Sequence, residues 1–205
     1  MDVAALLTAF ITLLVVIDPI GLAPLFVALT QGMTAAERRA IALCACVISV
    51  GLLTLFGLFG EAVLGFAGIS LSAFRIAGGI LLFLTALDML FERSTQRRRG
   101  QASRANDPSV FPLATPLISG PGAIASMILL TGQAGGEWSG ILAIHLVMIA
   151  VITVVLMFFL AAGLLERLLG ETGINVVTRL LGMLLAALSV QFVIDGLRSV
   201  GVIAG

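Results

Sequence analysis

The chain reads as long apolar runs separated by short polar joints. The runs cover residues 3 to 29, 36 to 59, 71 to 91, 110 to 131, 139 to 164 and 173 to 197. Each can cross a bilayer, which takes ~20 residues of helix. None alternates with the two-residue period of a barrel strand, and a backbone in lipid must satisfy its own hydrogen bonds, so all six are predicted to be helical. Runs 2, 3, 5 and 6 lack proline and are expected to be continuous. At the start of run 2, Thr34-Ala-Ala-Glu37 fits a capping box. Asp2 opens the chain and the first arginine is Arg38, so run 1 lacks the basic flank of a secretory signal and is expected to stay in the protein.

Composition narrows the class. Of 205 residues, 60% are apolar and 11% charged, far from the roughly one quarter charged residues of a soluble domain. Six spans leave loops and little else, so a soluble catalytic domain is excluded. The net charge is zero and nothing points to nucleic acid as a partner; membrane lipid is the expected surrounding. Cys44 and Cys46 fall on different faces of one helix and read as packing groups.

Arginine placement orients the spans. Arg38 and Arg39 follow run 1, Arg93, Arg97, Arg98, Arg99 and Arg104 follow run 3, and Arg167 follows run 5, while the joints after runs 2 and 4 hold Glu61 and Glu137. The positive-inside rule then makes the arginine-bearing joints cytoplasmic and puts both termini outside. The polar linker 93–108 divides a single transmembrane domain, 1–205, into halves 1–92 and 109–205; Arg97-Arg98-Arg99 within it is expected to set topology, with binding of anionic lipid as the alternative.

The halves resemble each other. Asp18-Pro19-Ile-Gly21 corresponds to Gly120-Pro121-Gly122, and Gly68-Ile-Ser70 with Arg75-x-x-Gly78 corresponds to Gly173-Ile-Asn175 with Arg179-x-x-Gly182. Both halves close on Asp-x-Leu, at Asp88 and Asp195. Three spans per half is an odd number, so the second half would enter the membrane upside down. The expected fold is therefore all-α, six transmembrane helices in two inverted three-helix repeats. Shared helix-start and packing chemistry is the competing explanation of the matches.

Candidate chemistry sits where the spans should break. Run 1 holds Asp18-Pro19-Ile-Gly21-Leu-Ala-Pro24 and run 4 holds Pro112, Thr115, Pro116, Ser119, Gly120, Pro121 and Gly122. Proline removes an amide donor and clashes with the preceding turn, so runs 1 and 4 are expected to be broken or re-entrant. Paired breaks in related positions point to a substrate site, and a half-helix starting after each offers amide donors and a positive dipole end to a carboxylate. Asp18, Pro19, Gly21, Thr115, Ser119, Gly120, Pro121 and Gly122 are the candidate binding residues, with a small zwitterionic solute as ligand. Asp18 is the one acid deep in a span; it is expected to bind a proton or another cation, to cap the helix beginning at Pro19, or both.

Arg75 and Arg179 open runs 3 and 6, and Asp88 and Asp195 close them, each against the helix dipole. Antiparallel packing of these runs would pair Arg75 with Asp195 and Arg179 with Asp88 as gates. Snorkelling of each charge to the headgroups is the simpler alternative. His145 reads as an interfacial or packing group, and Gln191 as a weaker pocket candidate. One histidine, no Ser-His set and no metal-ligand spacing give no enzyme, no metal site and no cofactor.

Asp18-Pro-Ile-Gly-Leu-Ala-Pro-Leu-Phe26, Phe111-Pro-Leu-Ala-Thr-Pro-Leu-Ile-Ser-Gly-Pro-Gly-Ala-Ile124 and Gly173-Ile-Asn-Val-Val-Thr-Arg-Leu-Leu-Gly182 resemble the MarC family over nearly the whole chain. The resemblance implies a six-span protein of a bacterial inner membrane, grouped with the LysE-type exporters, some relatives being assigned as proton-coupled transporters of small neutral amino acids. Leu22 stands where relatives often carry Asn.

Overall fold

The computed structural model describes residues 3–91 and 108–202. The linker 93–107, with its arginines, lies outside the described residues, as does the side chain of Arg167. The described residues are all-helical. Helices α1 (Val3–Ile17) and α2 (Pro19–Leu29) come first, then α3 (Ala35–Phe66) and α4 (Leu71–Leu90). An irregular segment, π1 (Ser109–Ile118), follows, then α5 (Pro121–Gly132), α6 (Trp138–Leu160) and α7 (Ala162–Ser199). Five helical stretches are long and apolar enough to cross a membrane, six with the bent pair π1–α5.

Local sequence explains the helix ends. The capping box of α3 forms as expected: Thr34 Oγ1 accepts from the Glu37 amide at 3.3 Å, and Glu37 Oε2 accepts from the Thr34 amide at 2.7 Å. Ser70 caps α4 by accepting from the Ala73 amide. Helix α3 runs one to two turns beyond the predicted end at 59 and stops where Gly68 takes φ 70° and Ile69 N–H returns to the Leu64 carbonyl at 2.9 Å. Gly170, at φ 63° and ψ 174°, kinks α7, so its apolar span is Thr172–Ser199.

Run 4 departs most from a regular helix. Phe111 and Thr115 each precede a proline and take extended backbone angles near φ −131°, because the pyrrolidine ring disfavours α geometry in the preceding residue. The neighbouring amides reach five residues back, Leu113 to Pro108 and Ser119 to Ala114.

The broken elements form the centre and the continuous ones the wall. Nine of the twelve residues of α5 are buried, an apolar helix enclosed on every side. It packs against α1, α3, α4 and α6. Wall positions such as Val47, Ile80, Leu142 and Leu180 are exposed, as a lipid-facing surface requires. Helices α4 and α7 form the most extensive pair and run antiparallel. Ser72 near the start of α4 meets Ser199 at the end of α7, Oγ to Oγ 2.8 Å, while a β-carbon on Gly182 would stand 3.0 Å from Met89 Cβ at the other end. Gly79 and Gly196 allow the same close backbone approach, the usual device where lipid supplies no hydrophobic drive.

Candidate functional site

The two breaks lie against each other. A β-carbon on Gly122, early in α5, would stand 3.3 Å from Val16 Cγ1, two residues before Asp18, and 3.0 Å from Leu82 Cδ2. Thr85 Oγ1 lies 3.9 Å from the same point. Leu82 and Thr85 were not foreseen, since only tertiary packing brings α4 to the breaks.

In the first break a single residue departs from helix. Asp18 adopts the left-handed conformation, φ 53° and ψ 66°, alone among the described non-glycine residues. Asp tolerates that region because its short polar side chain bonds locally. Here Asp18 Oδ1 accepts from the Gly21 amide at 3.0 Å and Pro19 occupies the first helical position, where no amide is needed. The Asp18 amide still reaches the Leu14 carbonyl, and the Asp18 carbonyl accepts from Leu22, so Val3–Leu29 remains one 27-residue span. Asp18 is 3% exposed.

Gly21 has a structural reason. A β-carbon there would overlap the Asp18 carboxylate, with Asp18 Cγ 2.8 Å away. The β-carbon space of this candidate binding residue is therefore taken by the cap.

The second break is wider and chemically bare. Segments π1 and α5 meet at 55° around Ser119 and Gly120. Gly120 is the N-cap residue of α5 and brings no side chain, Pro121 brings no amide, and the amides of Gly122 and Ala123 have no capping side chain. Gly120 is itself required, because a β-carbon would stand 2.5 Å from the Pro116 carbonyl oxygen. Ser119 is buried and directs its hydroxyl to the Ser49 carbonyl of α3 at 3.4 Å. Thr115, Pro116 and Pro121 are exposed beside it.

The other candidates separate. Asp195 accepts from Gln191 at 2.8 Å and pairs with Arg198 at 3.8 Å, both on its own helix, while Arg75 lies partly buried with its Nε unpartnered. The expected Arg75–Asp195 pair is thus not formed, because partners three and four residues away on α7 reach Asp195 first. Gln191 is exposed and serves Asp195, not a pocket. Arg179 and Asp88 share the opposite end of the α4–α7 pair, where Gly182 meets Ala86 and Met89. His145 is a buried packing group: its Nδ1–H donates to the Ile141 carbonyl at 2.7 Å and its ring lies against Gly57.

Comparison with known proteins agrees with this architecture. The model of the family described as MarC family integral membrane protein matches residues 3–200. Among curated relatives, a UPF0056 membrane protein of Methanocaldococcus jannaschii is 35% identical, covering 97% of this chain and 98% of its own. One of Archaeoglobus fulgidus is 38% identical over 96% of each chain, and YhcE of Escherichia coli 34% identical over 93% of this chain and 91% of its own. No solved structure matches. With matching regions that span both breaks and all the wall helices, the chain belongs to the MarC (UPF0056) family of integral membrane proteins.

Proposed function

We propose that this protein is a secondary transporter of small neutral amino acids such as glycine or alanine, coupled to a proton, in a bacterial inner membrane with both termini outside the cytoplasm. The carrying observation is the difference between the breaks. One helix start, at α2, is neutralised by the chain's own carboxylate. The other, at α5, presents bare amides and a positive dipole end beside exposed Pro121 and Thr115. A substrate carboxylate suits those amides, and its ammonium group then falls toward buried Asp18.

Two arrangements support an inverted repeat as the frame. A short first segment, a break, a short helix and two long helices recur in each half, the first segment being a regular helix in one and the irregular π1 in the other. The α2–α6 contact of Phe26 with Phe159 is mirrored by the α5–α3 contact of Ile128 with Gly60, so each short helix packs on the first long helix of the other half. Rocking one half against the other gives alternating access, with Arg179 and Asp88 as the gate pair kept from the sequence.

Purified protein in liposomes should accumulate labelled glycine or alanine when a pH gradient is imposed, and less without it. Vesicles that move no amino acid under either condition contradict the assignment.

A further inference from the structure

We propose that α2 is a lever, hinged at Asp18 and latched at its far end by Arg38, Phe26 and Phe159, and that this latch closes the membrane face carrying Arg38 and Arg39. The proposal rests on the reading of a site at the breaks. The lever is 11 residues, about 16 Å. At its start the backbone bends through one left-handed residue.

At its end three elements converge. The rings of Phe26 on α2 and Phe159 in the last turn of α6 stack with centroids 4.5 Å apart and planes 6° from parallel. The Arg38 guanidinium, from the first turn of α3, lies 5.8 Å from the Phe26 ring centroid, within cation–π range. Arg38 Nε–H also donates to Thr30 Oγ1 at 2.9 Å, and that hydroxyl donates to the Phe26 carbonyl at 2.7 Å. Phe26, Phe159 and Thr30 are all at most 2% exposed.

A cation in the first turn of a helix opposes its dipole, so Arg38 is held by the ring and the hydroxyl and not by α3 itself. The corresponding corner of the second half, Ile128 on Gly60, has no ring stack or cation–π contact among the described residues. The latch therefore belongs to one face only.

The test uses thiol labelling, which needs no transported solute and so separates this proposal from the amino-acid assignment. In a Cys44→Ser, Cys46→Ala background, Ala23→Cys places a thiol one turn behind Phe26, and Leu13→Cys places one beyond the hinge. Membrane vesicles of each orientation are treated with a membrane-impermeant sulfonated maleimide. Ala23→Cys should label slowly, and about tenfold faster from the Arg38 face once Arg38→Gln or Phe159→Leu is added, the scale of losing one desolvated cation–π or stacking contact. Leu13→Cys should stay slow throughout. An unchanged Ala23→Cys rate in both latch variants, or equal acceleration at Leu13→Cys, overturns the latch.

Discussion

The first break and the second solve one problem in opposite ways. Each starts a half-helix with proline at its first position, inside a membrane-spanning run. At Asp18 the chain supplies its own acceptor, caps the Gly21 amide with it and keeps the span nearly continuous. At Gly120 it supplies nothing, bends by 55° and leaves neighbouring residues exposed. The difference is that one helix start has a side-chain cap from its own chain and the other has none. Proline and glycine mark both breaks, and the N-cap residue tells them apart.

The contrast can be broken most forcefully at Gly21. Gly21→Ala drives a β-carbon into the Asp18 carboxylate and should cost about 1–3 kcal/mol, the scale of overpacking. Thermal unfolding in detergent would show it. Most of that cost should vanish in an Asp18→Ala background, where the clashing group is gone; an equal cost in both backgrounds would mean that Gly21 is needed for something else. Removing the cap alone is the next effect. Asp18→Ala should lose about 1 kcal/mol, whereas Asp18→Asn, which caps as well, should unfold as the parent does. If Asp18 also carries the coupling proton, Asp18→Asn abolishes the response of uptake to a pH gradient while leaving that stability unchanged.

The second break should respond differently. Gly122→Ala meets the end of Leu82, a flexible side chain, so little stability is lost, roughly 1 kcal/mol or less. If the adjoining amides hold the substrate carboxylate, the displaced Leu82 should still raise half-saturation for glycine in uptake assays. Ser119→Ala gives the smallest change: one long hydrogen bond to Ser49 disappears, within about 0.5 kcal/mol on unfolding. A larger loss there would show Ser119 to be a structural tie between π1 and α3.

What could be read from the sequence was local. Thr34 and Glu37 formed their box because both partners lie within one turn. Asp18 capped at Pro19 for the same reason. The run boundaries followed from hydropathy, except that α3 continues past 59 to Phe66 and that α6 stops at Leu160, short of 164, with Ala162 already opening α7. Readings failed where several neighbours competed for one group. Antiparallel packing of α4 and α7 was anticipated, yet Asp195 took Gln191 and Arg198 in place of Arg75, since face placement does not choose among partners. Gly21 was a candidate binding residue, yet the fold puts the Asp18 carboxylate over its β-carbon position. Phe26, Arg38 and Phe159 carried no sequence signal of their stack, because they are brought together only by tertiary packing.

The most direct measurement is competition against labelled glycine in liposomes, comparing unlabelled glycine with glycinamide, which keeps the amine and lacks the carboxylate. If the amides of Gly122 and Ala123 hold the carboxylate, glycine competes and glycinamide does not. Equal competition by the two contradicts the account, because the bare helix start at α5 would then be irrelevant to what the protein binds.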